Sequence, residues 1–279
     1  MSSAARTNLD SRSVIVSNRV LGEGTFRICF EGTYVGGNRN QQEAACKRFK
    51  PRWRAMEMEY YADDFVIADT AIQYAEEWND FCDWDEAILI TKGSISYGPD
   101  GSRILSEPLI RNFQKFTSNS GWIDGSGCWT TELMEAFCHF TYHASGGELI
   151  VCDLQGRYRD NRRYRTGKTR FELTDLAICS RDRCFGPTDL SEKGIESFFA
   201  NHECNQFCRH HWIEPSYPQR WFPSNSSATS MFSSSFSNRL KSSNRTQFQL
   251  GGMGNIVEAD EESSSEDYYS SSDDSSMFY

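Results

Sequence analysis

Residues 137–156 read FCHFTYHASGGELIVCDLQG, residues 171–180 read FELTDLAICS, and residues 185–208 read FGPTDLSEKGIESFFANHECNQFC. Three kinds of chemistry meet in this stretch. Asp153, Gln155 and Asp175 form an acid–amide–acid set of hard oxygen donors. A turn-rich segment begins at Gly186, and a His202-x-Cys204-x3-Cys208 cluster follows it. Residues at i, i+2 and i+6 do not share one face of a straight helix, so a turn leading into a short helix suits a metal better. Structural zinc needs four N or S ligands in a tetrahedron. The fourth must come from elsewhere, and His139 and His143 are the nearest upstream candidates.

Upstream, Val14–Gly22 and Thr25–Tyr34 read as strands, Gly36-Gly37 as a loop, and Glu43–Phe49 as a third strand carrying Lys47. Strand, glycine turn, strand and lysine-bearing strand is the general layout of a lobe that covers ATP. Met56–Phe81 has apolar residues at helical spacing, and one of its carboxylates is a candidate partner for Lys47. Ala87–Lys92 and Ile104–Ile110 read as strands around a turn at 98–101. Thr131–Tyr142 is an amphipathic helix that ends before Gly146-Gly147. Glu148–Cys152 is a buried strand delivering Asp153, and Gln155 points to the same side if that strand stays extended.

The net charge of −10 over 279 residues is unevenly spread. No basic residue follows Arg245, whereas Glu258, Asp260, Glu261, Glu262, Glu266, Asp267, Asp273 and Asp274 are all acidic. Without them the chain is near neutral. Residues 1–13 read as a flexible lead, 14–213 as the folded domain, and 214–279 as a disordered Ser/Asn-rich and acidic tail. No apolar run approaches the ~20 residues that cross a bilayer, and the first residues lack a secretory pattern. The expectation is a cytoplasmic protein with reduced thiols and no membrane partner. A nucleic-acid-binding zinc module would need a second Cys/His pair and a basic domain, and the sequence offers neither, so no nucleic acid is expected.

DLQG after F-x-H-F-T-Y, then LTD, then a glycine turn and H-x-C-N-x-x-C resembles the carboxyl-terminal lobe of the alpha-kinases, atypical serine/threonine protein kinases. LGEGTFRICFEG (21–32) resembles that family's phosphate-contacting strand, AACKRFK (44–50) its lysine strand, and EPLIRNFQKFTSNSG (107–121) its hinge. The similarity runs from Val14 to Trp212 with four motifs in the family's order. It implies a two-lobed α+β atypical kinase fold with a zinc-binding carboxyl-terminal lobe. The implied function is transfer of the ATP γ-phosphate to protein Ser/Thr hydroxyls, with autophosphorylation. A nucleotide-binding pseudokinase or scaffold is the alternative.

Residue by residue, the resemblance implies that Asp153 accepts the substrate proton and that Gln155 and Asp175 hold Mg²⁺. Gly24, Arg27 and Lys47 would hold the phosphates. Glu107 would take the adenine amino group and the backbone at Ile110 its remaining edge, with Lys115, Asn119 and Gly186 completing the nucleotide site. The family's helix histidine implies that His139 joins His202, Cys204 and Cys208 on zinc. Three departures stand out. The interval between DLQG and LTD is long, and Leu176-Ala177 stands where Pro-Gln is common. The glycine turn carries Asp189 for asparagine and Ser191 for the last glycine. If that last position needs φ > 0, serine costs on the order of 1 kcal/mol.

The long interval carries Arg157, Arg159, Arg162, Arg163, Arg165, Lys168 and Arg170. A solvated surface loop is the plain reading of this basic segment, and charge complementarity makes it also a candidate intramolecular dock for the acidic tail.

Overall fold

A computed structural model describes residues 3–81, 86–98, 101–160 and 169–223. The tail from 224 onward and residues 161–168, on which the docking expectation rests, lie outside them. The fold is α+β and contains two five-stranded sheets, each with its own apolar packing.

The first sheet is antiparallel. It contains β2 (Ser13–Glu23), β3 (Arg27–Val35), β4 (Glu43–Phe49), β7 (Arg103–Pro108) and β6 (Ser94–Tyr97), side by side in that order. Register places Glu107 opposite Ala45, one diagonal step from Lys47 on the same face of the sheet. A 3₁₀ turn, Pro51–Met56, leads into α1 (Glu57–Phe81). Glu57 and Glu59 sit at the positive end of that helix, and Tyr60, Tyr61, Ile67, Ala71, Ala75 and Trp78 form its buried stripe.

The second sheet is mixed. Its order is β1 (Ala5–Thr7), β5 (Ala87–Lys92), β11 (Arg170–Leu173), β10 (Gln155–Arg159) and β8 (Gln114–Lys115). A two-stranded ladder pairs β9 (Leu149–Cys152) with β12 (Ala177–Ser180). α2 (Trp129–Ala144) packs on β9, and α3 (Ser191–Phe199) on β12. Gly146 and Gly147, at φ +69° and +89°, turn the chain away from α2. Trp78 stands edge-on to Phe137 and Phe140, at 5.6 and 5.3 Å, and so ties α1 to α2 in the larger core.

Two boundaries differ from the sequence reading. The lead at 1–13 is not free chain: Ala5–Thr7 extends the sheet in parallel with Ile90–Lys92, and Ala4 is fully buried. Beyond β1, Asn8 accepts from Tyr34 and donates to the Ser106 carbonyl at 2.8 Å. A three-residue strand is too short to show a period of two, but it satisfies the open edge of β5. The expected disordered tail begins too early as well. Residues 214–223 are described, and the Trp221 backbone N–H donates to Ser197 Oγ at 3.0 Å.

Candidate functional site

β9 and β12 pair with each other, as do β10 and β11. Asp153 stands between β9 and β10, and Asp175 between β11 and β12. Both therefore occupy corners where the chain leaves one ladder for the other. Each corner is made by a left-handed residue, with φ +58° at Asp153 and +54° at Asp175. Aspartate tolerates this conformation better than most residues, and such strain clusters at functional sites. The extended strand expected through Asp153 is thus broken there. Gln155 still reaches the same place, because its Nε2 donates to Asp153 Oδ2 at 3.3 Å and to the Asp175 carbonyl at 2.8 Å.

These corners open on a cleft of about 650 Å³ whose lining includes Arg27, Lys47, Lys115, Asp153, Gln155 and Asp175. Gly24 and Glu107 also line it. Lys47 Nζ lies 2.7 Å from Glu107 Oε2 and 2.6 Å from Asp175 Oδ1. Burial works against the charge on this ammonium, but Asp175 and Glu107 outweigh it and push the pKa above the ordinary lysine range. Burial likewise opposes ionisation of Asp175, yet Lys47, Arg27 and Lys115 hold its pKa below the usual carboxylate value.

Asp153 behaves differently. Its side chain is almost fully buried, and burial pushes its pKa up to about 6 against the pull of Lys115 Nζ, 2.7 Å away. Two carboxylates on one cleft wall thus differ in proton affinity, one held ionised and the other poised near neutrality. This is the separation that acid–base roles require.

Arg27 does not stand free for phosphate. Its Nη2 lies 2.6 Å from Asp64 Oδ2 on α1, and its guanidinium covers the Phe49 ring at 4.6 Å. The expected pairing of an α1 carboxylate with Lys47 is not found among the described residues: Glu107 and Asp175 hold Lys47, and Asp64 of α1 serves Arg27. Burial raises the Asp64 pKa to about 6 despite that partner. Thr174, also absent from the sequence reading, donates to Glu107 Oε2 at 2.7 Å. Lys47 and Thr174 both use Oε2 of Glu107.

Ile110, Asn119 and Gly186 do not line the cleft. Ile110 is buried. Asn119 Nδ2 donates to the carbonyl of Thr188, which does line it, at 2.7 Å. Gly186, at φ +76°, has no room for a Cβ, which would lie 2.5 Å from Asp63 Oδ2. These two residues position the glycine turn.

A second cluster gathers His139 Nδ1, His202 Nε2, Cys204 Sγ and Cys208 Sγ within 4.8 Å of one another. His202 Nδ1 lies 3.1 Å from Glu135 Oε2, and His139 Nε2 lies 3.1 Å from the Ile213 carbonyl. Each outer nitrogen faces an acceptor and so carries the proton. The inner nitrogens then present lone pairs toward each other and toward two sulfurs, an N2S2 donor set of the kind that zinc takes. His143 is not among them: its Nδ1 accepts from the Ile213 N–H at 3.4 Å.

Residues 22–208 match the model of the alpha-kinase family. The chain belongs to the alpha-kinase family. It is 39% identical over 98 residues to the alpha-protein kinase vwkA of Dictyostelium discoideum, a match spanning 35% of this chain but only 14% of that protein. Its fold is similar to that of an alpha kinase from Entamoeba histolytica, with a TM-score of 0.60 and 22% identity over 78% of this chain and 85% of that one. It is similar also to the alpha-kinase domain of myosin-II heavy chain kinase A in complex with AMP-PNP, with a TM-score of 0.56 and 22% identity over 70% and 85%.

The two unusual residues in the glycine turn of this alpha-kinase have local reasons. Asp189 is buried and accepts four hydrogen bonds. Oδ1 takes the N–H groups of Ser180 and Ser191 at 2.9 and 2.8 Å. Oδ2 takes Ser180 Oγ at 2.6 Å and the Phe185 N–H at 3.2 Å. All four partners are donors, so an amide NH₂ at this position would face donors, whereas a carboxylate satisfies every one. Ser191 does take positive φ, at +55°. Its N–H bond to Asp189 offsets part of that strain.

Proposed function

We propose that this alpha-kinase transfers the γ-phosphoryl group of ATP to serine or threonine hydroxyls of protein substrates, itself included. Lys47, buried between Glu107 and Asp175 on one wall of the cleft that Asp153 and Gln155 also line, carries this reading. Phosphoryl transfer asks a protein for positioning and charge neutralisation more than for covalent chemistry. Lys47 supplies a fixed cation for the phosphates as nucleotide enters. Asp153 takes the proton of the acceptor hydroxyl, a role suited to a carboxyl with pKa near 6. Lys115 orients it, and the Arg27–Asp64 pair stiffens the cleft beside Lys47.

Two metals accompany this reading. Asp175 and Gln155 would hold Mg²⁺; the amide nitrogen of Gln155 is engaged by Asp153 and Asp175, so it offers its carbonyl oxygen. Mg²⁺ supplies charge neutralisation across the phosphates. His139, His202, Cys204 and Cys208 would hold one structural zinc ion.

The test is incubation of wild type and Asp153→Ala with γ-labelled ATP and Mg²⁺. Label should appear on wild-type protein and on an added Ser/Thr substrate, and vanish in the variant. Nucleotide binding without transfer in wild type would favour a pseudokinase scaffold, whose specific support is the strained serine at position 191.

A further inference from the structure

On the sheet face of β10 and β11, Arg157 stands opposite Glu172 and Arg159 opposite Arg170. Like charges directly across a ladder repel, and the counter-ion between Arg159 and Arg170 is Glu172 Oε1, which both face. Arg6 from β1 and Arg39 from the β3–β4 connection join them around a cavity of about 620 Å³. No residue lining this cavity lines the nucleotide cleft.

One carboxylate serves four of these cations. Glu172, 2% exposed, lies 2.6 Å from Arg157, 3.0 Å from Arg170, and 3.6 Å from both Arg159 and Arg6. Arg39 makes no ion pair among the described residues; its Nε donates to the Thr7 carbonyl at 2.7 Å. The cavity's remaining pair, Arg111 with Glu43, neutralises itself at the rim. Five guanidiniums thus line the cavity, four of them on one buried acid, an excess of four positive charges. Burial, with the nearby charges of Arg39 and Arg157, holds the pKa of Arg6 below the ordinary arginine value despite the opposing pull of Glu172.

We propose that this cavity is a second binding site, separate from the nucleotide cleft, for a small polyphosphate or polyphosphorylated metabolite. Guanidinium forks match phosphate oxygens in bidentate geometry, and Glu172 holds two of the forks in fixed orientation before any ligand arrives. The volume suits a compact ligand rather than a folded partner. The excess charge calls for a ligand of about four negative charges, a density that phosphate groups reach within a few ångströms and spaced carboxylates do not.

Tripolyphosphate titrated into the full chain, with the nucleotide cleft saturated by AMP-PNP and Mg²⁺, tests this by calorimetry. Wild type should bind one equivalent, more weakly as salt rises. Arg159→Ser with Arg170→Ser should weaken binding at least tenfold. Its unliganded thermal midpoint should fall below that of wild type, because Glu172 Oε1 loses both of its cations. Arg39→Ala, which breaks no ion pair, should weaken binding about threefold and covers the case in which the double variant fails to fold. Unchanged affinity in both variants would overturn the site. Equal binding of a hexaglutamate peptide would overturn the phosphate assignment in favour of an acidic segment.

Discussion

Asp153 and Asp175 are joined through Gln155, whose amide nitrogen lies 3.3 Å from the carboxylate of one and 2.8 Å from the main-chain oxygen of the other. That bridge fixes the two corners against each other, yet the two acids differ in proton affinity: Lys47 holds Asp175 ionised, whereas burial raises the pKa of Asp153 despite Lys115.

The buried Asp153 gives activity and stability opposite responses to pH. Its folded-state pKa of about 6 lies above the ordinary value near 4. The fold therefore favours the protonated acid, so the stabilisation is complete below pH 4 and lost as pH rises through 6. Phosphoryl transfer should fall about tenfold per pH unit below 6, where the base is protonated. Asp153→Asn should abolish transfer while gaining on the order of 1–3 kcal/mol relative to wild type at pH 8, read from urea melts. A wild-type protein more stable at pH 8 than at pH 5, by a margin that the variant shares, would contradict the assignment.

Lys47→Met should reduce transfer by orders of magnitude and destabilise the fold by about 3–5 kcal/mol, because Glu107 is left buried without its cation. Adding Glu107→Gln should restore much of the stability and none of the activity. Recovery of activity in the double variant would show that Lys47 acts only as a structural ion.

Zinc analysis of purified wild type should give one ion per chain. Cys204→Ala or Cys208→Ala should lose the metal and yield insoluble or unfolded protein, since ligands drawn from α2 and from residues 202–208 are assembled only by folding. Well-folded wild type without zinc would dispose of the site.

Ser191→Gly should stabilise the protein by about 1 kcal/mol, the relief of a left-handed serine, without altering the charge of the cleft. Asp189→Asn should destabilise it, because the amide NH₂ would replace an oxygen that accepts two of the four hydrogen bonds. Thermal midpoints of the two variants moving in the same direction would refute this account of the turn.

Much of this was legible in the sequence. Strands β3 and β4 and helices α1 and α2 follow from period and composition, and the family motifs brought Lys47, Asp153, Gln155 and Asp175 to one cleft. What escaped were contacts between distant segments. Asp64 looks like one more solvated acid beside Asp63 and Asp69, and only the packing of α1 against β3 singles it out for Arg27. Thr174 acts through Glu107, 67 residues away. Ala5–Thr7 carries no strand signal of its own because its pairing is supplied by β5.

The bent double ladder also shields the cleft from changes in chain length. Arg159 pairs with Arg170 at one end of β10–β11, while Asp153 and Asp175 lie at the other. Four residue pairs of register, Gly156↔Leu173 to Arg159↔Arg170, separate the corners from the connecting segment. Each doubling of such a segment costs only about 0.6 kcal/mol in closure entropy. Mutation can therefore lengthen or rewrite the connection freely, as the long basic interval between DLQG and LTD illustrates, while the spacing of the two aspartates is inherited intact.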